Sequence, residues 1–453
     1  QCNEAVADPQ IIDHVADVFE RESADAWHTR TASELLPEGY KCRKCGAEEW
    51  IKESDILDVW FDSGASSVAV LENREELRWP ADVYIEGGDQ FRGWFNSSLM
   101  VGLVVHDRAP YKTVITHGWT VDAQGKAMHK STGNAVPPDE VIKASGAEIL
   151  RLWCASSNYF DDMRCSTEIL QRVTDGYRKL RNTARFALGN LHGFEPTRDS
   201  LAEEELLQID RWALAELDVV TQKVREAYEA YEFHRVYHAL YNFCTVTLSA
   251  RYFDIIKDRL YTFAPRNKGR RSAQTALFRI GDALARMLAP ILAFTADEIW
   301  ENLPPSAATQ LPASVHLMTF PAAKREVDDQ LLLNWERLFQ IREDVLGALE
   351  KSRIAKQIGG SLEALVVVSA AGSDYELLQR YSDQLRYLFI VSQVEVLNSN
   401  AGVSGVEVAI SPAAGQKCER CWNYSTRVGE FSRFPNVCER CVEALEEIER
   451  EAA

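Results

Sequence analysis

Residues 418 to 441 read CERCWNYSTRVGEFSRFPNVCERC, two Cys-x-x-Cys pairs with sixteen residues between them. Each pair sets two thiols on one tight turn, and four thiolates complete the tetrahedron that zinc prefers. Cys418, Cys421, Cys438 and Cys441 are therefore the expected ligands of one structural Zn2+, with no coordination position left open for chemistry. Trp422, Tyr424, Arg427, Arg433 and Arg440 decorate the knuckles, where aromatics and cations either contact nucleic acid or cover a small core. A third pair, Cys42 and Cys45 in YKCRKCGAEEW, has only Cys2 nearby. Those three cysteines form at most a partial second metal site. Six of the ten cysteines fall into such pairs, and no secretory signal precedes them. They read as metal ligands in a reducing compartment rather than as disulfides.

The rest of the chain is too long for one core. At 453 residues, two to four domains are expected. The apolar and charged fractions, 46% and 26%, are those of a globular protein in water. No apolar run spans a bilayer; the best candidate, LARMLAPILAF, is broken by Arg286 and Pro290. A net charge of −18 argues against binding nucleic acid through the overall field, but phosphate contacts need only a few well-placed cations. IKDRLYTFAPRNKGRRSAQ offers such a cluster: Lys257, Arg259, Arg266, Lys268, Arg270 and Arg271. A charge-rich connection between helices is the equal alternative.

Residues 51 to 165 have an α/β pattern. A strand ends at Ile85, Gly87-Gly88 makes a turn, and a helix follows with Asp89 as N-cap and Phe91, Phe95, Leu99 and Gly102 on one face. KTVITHGWTV reads as another strand. PPDEVIKASGAEILRLWCASS reads as two helices broken at Gly146. From 166 to 300 the texture is long helices, with core stripes Leu206, Ile209, Ala213, Leu217 and Leu277, Ile280, Leu284, Met287. After a Pro/Ser/Ala stretch at 304–314 comes a helix over 328–356. SLEALVVVS and LRYLFIVSQVEVL then suggest strands of a small α/β unit.

Three segments, ESDILDVWFDSG (53–64), YIEGGDQFRGWFNSSLM (84–100) and GKAMHKSTGN (125–134), resemble consecutive signatures of the class I aminoacyl-tRNA synthetases. Among these the chain is most similar to the bacterial isoleucyl enzymes, and the cysteine module fits that group. The resemblance implies five parts. Residues 1–50 are the end of an inserted connective region with a partial cysteine knuckle, and 51–165 the second half of a Rossmann-type catalytic domain. Residues 166–325 are a helical anticodon-binding bundle, 326–412 a small α/β junction domain, and 413–453 the zinc module. It also implies an ATP-dependent activation of isoleucine, with ATP and Mg2+ as substrate, tRNA(Ile) as partner, no membrane, and a cytoplasmic monomer.

The site residues follow from the same resemblance. Lys130 is the ATP contact of the lysine-serine loop, with Ser131 beside it; Ala127 and His129 stand where the family's usual motif has lysine and serine. Glu86, Gly87, Asp89 and Gln90 line the aminoacyl-adenylate crevice, and His117 and Gly118 approach the adenosine. Trp60 and Trp94 wall the isoleucine side-chain pocket. Such a wall discriminates a missing methylene by only about 1–3 kcal/mol, a limit for which isoleucyl enzymes are themselves the usual illustration. The family's editing domain is not recognisable here, and neither is its His-x-Gly-His signature. The chain starts at Gln1 within what reads as ongoing sequence. A C-terminal fragment, inactive alone, is the expectation. The alternatives are a non-catalytic tRNA-binding zinc protein descended from a synthetase, or a valyl or leucyl relative.

Overall fold

The computed structural model describes residues 2–129, 132–305, 312–323, 327–399 and 405–452. Two compact units divide the chain, Gln1–His117 and Gly118–Ala453. No helix among the described residues is long and apolar enough to cross a membrane.

The first unit opens with α1 (Pro9–Glu22), where Asp8 accepts from Gln10 N and Pro9 occupies a position that needs no N–H donor. Val18 of α1 packs with Ala26 of α2 (Ala26–Thr29) and with Leu35 in a small core of its own. α3 (Val59–Ser66) starts at Asp58, whose side chain accepts from Trp60 N. β1 (Ala81–Gly87), α4 (Trp94–His106) and β2 (Tyr111–His117) form a β-α-β unit with parallel strands. α3 and α4 approach closely through Gly64: a Cβ there would lie 2.7 Å from the Ser97 carbonyl carbon.

The expected helix cap at Asp89 is not formed. Gly88–Arg92 is a 3-10 turn, and α4 begins only at Trp94. Gln90 Oε1 accepts from Trp94 N at 3.1 Å, so the longer amide does the capping across that extra turn. Phe95 and Gly102 are buried as expected, whereas Phe91, in the 3-10 turn, is exposed.

In the second unit β3 (Thr120–Val121) pairs in parallel with β4 (Met163–Arg164). Between them lie α5 (Pro138–Ser145) and α6 (Ala147–Ser156), broken at Gly146 with φ +89°, as the sequence suggested. A helical bundle follows: α7 (Thr167–Gly189), short α8 (Pro196–Asp199), α9 (Gln208–Glu229) and α10 (Phe233–Asn242). α10 continues through a π-helical stretch, Phe243–Phe253, into α11 (Asp254–Thr262). α12 (Lys268–Leu288), α13 (Ala293–Glu301) and α14 (Asp329–Ile354) complete it. Both predicted stripes are buried, and Leu277, Ile280, Leu284 and Met287 are fully so. Glu148 of α6 accepts from Phe294 N and Thr295 N at the start of α13. Arg151 donates to the Pro290 and Ile291 carbonyls. One helix thus satisfies orphan groups in the elbow between α12 and α13.

Beyond α14 a three-stranded sheet has the order β6-β5-β7, built from β5 (Ala364–Ala370), β6 (Gln393–Asn398) and β7 (Glu407–Pro412). α15 (Gly372–Arg380) follows β5. LRYLFIVSQVEVL is not one strand: its first part is α16 (Leu385–Phe389), ended by Ile390 at φ +56°. Leu385, Leu388 and Phe389 are all buried, a helical spacing that the β-rich composition concealed. β8 (Gln416–Lys417), β9 (Tyr424–Ser425) and α17 (Glu439–Ala452) carry the four-cysteine module.

Candidate functional site

In the parallel register of β1 and β2, Glu86 pairs with Thr116 and Gly87 with His117. Glu86, Gly87 and His117 therefore sit together at the carboxyl ends of neighbouring strands, the edge where open α/β sheets bind ligands. Glu86 and Asp89 are exposed there, with Gln90 half-buried beside them. Gln90 Nε2 lies 3.4 Å from Asp89 Oδ2, so the two side chains form one polar ledge above the strand end.

The two predicted pocket tryptophans flank this ledge in different ways. Trp94 stacks on Tyr84 with centroids 4.1 Å apart and planes 10° from parallel. Its Nε1 donates to the Ser63 carbonyl at 3.0 Å. Trp60 is 43% exposed, and its ring covers Gly93, where a Cβ would come within 2.8 Å of the ring carbon Cη2. Trp94 is thus fixed by its neighbours, whereas Trp60 presents ring surface to solvent.

Gly118 belongs to the second unit. Its N donates to the Tyr159 carbonyl at 2.9 Å, and a Cβ at this position would overlap the Asp161–Asp162 peptide. Only glycine permits that approach. Lys130 and Ser131 lie outside the described residues. The base of their loop is described: Asp122 Oδ1 accepts from Gln124 N at 3.0 Å and from Lys126 N at 2.9 Å, and Asp122 Oδ2 accepts from Asn134 Nδ2 at 2.9 Å. Asn134 Oδ1 accepts from His129 N and Thr132 Oγ1. The Asn134 amide, with the Lys126 N–H behind it, holds the Asp122 carboxyl below its ordinary pKa. The sequence reading gave no role to Asp122 or Asn134; the signal was a short-range Asp and Asn bracketing a glycine-flanked loop.

Cys418, Cys421, Cys438 and Cys441 are all buried, and their Sγ atoms lie within 4.8 Å of one another. Cys421 and Cys438 Sγ are 3.6 Å apart. A tetrahedron of sulfurs at the usual zinc distance has edges of about 3.8 Å, so the thiols stand where the metal needs them. Crowding sets their acidities against one another. Cys438 and Cys441 hold the Cys421 thiol far down, and Cys421 in turn pushes Cys438 up to about 11. Cys2, Cys42 and Cys45 also converge within 4.8 Å, in a more open setting. Backbone N–H groups of Cys45 and Lys44 bring Cys42 down to about 7, which favours the thiolate a metal takes.

The module is keyed to the bundle. Arg440 forms a two-pronged pair with Asp258 of α11, and its guanidinium lies 5.2 Å from the Phe263 ring centroid. Arg420 donates to the Thr262 carbonyl and lies 3.6 Å from Cys441 Sγ. Arg427 and Arg433 are paired with Glu430 and Glu449. Among the knuckle residues, Trp422 is open, at 62% exposure.

The basic segment is split: Lys257, Arg266 and Lys268 are exposed, whereas Arg259 and Arg271 are buried. Arg259 is buried and donates to both oxygens of Asp210 at 2.9 Å. Arg271 is buried against Asp199. Arg270 is half-buried and donates to the Phe263 carbonyl, and Lys257 pairs with Asp254. Of the six, Arg259 and Arg271 face inward because each has a carboxylate partner there, which a local charge count does not reveal.

Three family models match successive parts of the chain. Residues 1–166 match the family described as tRNA synthetases class I (I, L, M and V). Residues 210–368 match the anticodon-binding domain of tRNA ligase, and 415–444 match the zinc finger found in FPG and IleRS. The four C-terminal cysteines are that zinc site. An isoleucine--tRNA ligase of Syntrophotalea carbinolica is 52% identical over 98% of this chain and 48% of its own length. The enzymes of that name from Symbiobacterium thermophilum and Geobacter sulfurreducens are 49% and 47% identical, over 97% and 98% of the chain and 48% of their own lengths. The chain thus spans about half the length of the curated relatives it matches. With all three matched regions in family order and identity near one half from end to end, the chain belongs to the class I isoleucyl-tRNA synthetase family.

Proposed function

We propose that the chain works in isoleucine--tRNA ligation, supplying adenylate contacts, the lysine-serine loop and the tRNA-binding parts. The observation that carries this reading is the strand-end pairing of Glu86 and Gly87 with Thr116 and His117, which gathers the expected adenylate contacts on one edge. In the reaction the isoleucine carboxylate attacks the ATP α-phosphorus, the bond to the bridging oxygen breaks, and pyrophosphate leaves with Mg2+. Glu86, Asp89 and Gln90 offer acceptors and an amide to the polar atoms of the adenylate. His117 and Gly118 take the adenosine side, and Trp60 and Trp94 take the aliphatic side chain. Lys130, beside Ser131, meets charge that grows on the departing pyrophosphate, so its contribution falls on the transition state.

The reading includes the five-part division given above, tRNA(Ile) as partner, and a cytoplasmic monomer. It also includes a second, partial metal site at Cys2, Cys42 and Cys45. The test is amino-acid-dependent ATP–pyrophosphate exchange. It uses the chain joined to the portion that its relatives carry beyond the match, with isoleucine, valine and leucine, and with Lys130→Ala alongside. Exchange that prefers isoleucine and drops by two or more orders of magnitude in the variant is expected. No exchange with any of the three, from folded and zinc-replete protein, refutes the catalytic reading and leaves a tRNA-binding zinc protein.

A further inference from the structure

Asp122 and Asn134 tie together the two ends of one surface stretch. The Asn134 side chain uses everything a primary amide can offer, two N–H donors and two acceptor lone pairs. Its Nδ2 donates to Asp122 Oδ2 at 2.9 Å and to the Ala127 carbonyl at 3.1 Å. Its Oδ1 accepts from His129 N at 3.0 Å and from Thr132 Oγ1 at 2.6 Å. Asp122 Oδ1 meanwhile accepts from Gln124 N and Lys126 N. Thr132 N donates to the His129 carbonyl at 3.1 Å, so the residues on either side of Lys130 and Ser131 are bonded to Asn134 and to each other. Burial does not require any of these bonds. Asp122 and Asn134 are half-buried, whereas Gln124, Lys126, Ala127, His129 and Thr132 are exposed, where water can serve the same groups. Gly125 and Gly133, at φ +82° and +67°, leave many conformations open to such a stretch unless something ties it down.

We propose that Asp122 and Asn134 are positioning residues for adenylate formation, a carboxylate–amide clasp that orders the stretch carrying Lys130 before ATP arrives. The inference rests on the catalytic reading given above and adds two residues to it. Both act through the loop rather than by contact with substrate. A cation on an untied loop must give up conformational freedom as charge grows on the departing pyrophosphate, and that loss is subtracted from its effect on the rate. A cation on a stretch already ordered keeps its full effect. The clasp needs one carboxylate and one amide. Two carboxylates repel each other, and two amides set donor against donor or give up the bonds to Gln124 N and Lys126 N. Either order of the two serves: with Asn at 122 and Asp at 134 the cross-bond and the four acceptor bonds persist, and only the bond to the Ala127 carbonyl is lost.

The test is ATP–pyrophosphate exchange with isoleucine, on the chain joined to the portion that its relatives carry beyond the match. The variants are Asn134→Ala, Asn134→Asp, Asp122→Asn, and the swap that combines Asp122→Asn with Asn134→Asp. Each single change should lower kcat about ten- to a hundred-fold, with the KM for isoleucine and the Tm as in the wild type. The swap should recover most of that loss. In a Lys130→Ala background Asn134→Ala should cause no further loss, because both changes remove the same contribution. Amide exchange over 122–129 in Asn134→Ala should quicken about ten-fold or more, a readout independent of catalysis. The inference is overturned by single variants whose kcat stays within about two-fold of wild type, by unaltered amide exchange, or by a swap no better than its parts. It is overturned equally by losses that multiply in full with that of Lys130→Ala, or that track a fall in Tm. If the wild-type protein shows no exchange, the catalytic reading falls and takes the inference with it; if it does and the variants match it, only the inference falls.

Discussion

Replacing Arg259 by methionine leaves the fully buried carboxylate of Asp210 without its counter-charge. Asp210 is fully buried and accepts two bonds from Arg259 at 2.9 Å, one from Tyr252 Oη at 2.7 Å, and one from Ser272 Oγ. In Arg259→Met both hydroxyl donors remain, since burial pushes the Tyr252 hydroxyl well above its ordinary pKa and keeps its proton. The counter-charge is gone. An unpaired buried carboxylate costs about 3–5 kcal/mol, and the pair as a whole is worth far less than either half left alone. For a bundle of this size that corresponds to roughly 6–20 °C in Tm. Urea unfolding of the full chain, followed by far-UV circular dichroism and tryptophan emission, reads the cost; Trp212 and Trp335 sit in the same core. The double variant Asp210→Leu with Arg259→Met removes both charges and should recover all but about 1–2 kcal/mol. A single-variant cost below about 1 kcal/mol, or a double variant as unstable as the single, refutes the argument.

Cys421→Ser should abolish the C-terminal zinc while leaving any metal at Cys2, Cys42 and Cys45; metal analysis beside limited proteolysis of 413–453 checks this. Arg440→Ala breaks the pair with Asp258, and amide exchange in α11 and α17 should then quicken about ten-fold or more without loss of zinc. Exchange that quickens in α17 alone would place the key between module and bundle elsewhere. Asp374 is held below the ordinary carboxylate pKa by its two-pronged bond with Arg337. A depressed folded pKa stabilises above the unfolded value, about 3.9, and the benefit is lost as pH falls through the folded one. Arg337→Ala should therefore lower the urea midpoint at neutral pH, and the gap from wild type should close at acid pH. A gap that persists in acid would assign the effect to packing instead.

The hydrophobic and turn patterns in the chain were enough for most of the local structure. Gly146 breaks α5 from α6 because the backbone there takes φ +89°, and the stripe from Leu277 to Met287 is fully buried because its spacing puts every member on one face. The four-cysteine module was legible in the same way, since two tight turns impose their own ligand geometry. Where local signals competed, the reading failed. Asp89 was a plausible cap, but the chain takes a 3-10 turn first and Gln90 reaches back to cap α4. LRYLF carries strand-like residues, but its buried positions recur at helical spacing.

Sequence alone determined which side chains could do chemistry: the cysteine pairs, the acidic and amide ledge from Glu86 to Gln90, and the loop that holds Lys130. Tertiary structure decided which of them meet. Strand register put Glu86 and Gly87 beside His117. Long-range pairing with Asp210 and Asp199 turned Arg259 and Arg271 from surface cations into interior ones. Local patterns are set by backbone sterics within a few residues, whereas a charge or a hydrogen bond is settled by partners that may be fifty residues away, and only the folded chain brings those together.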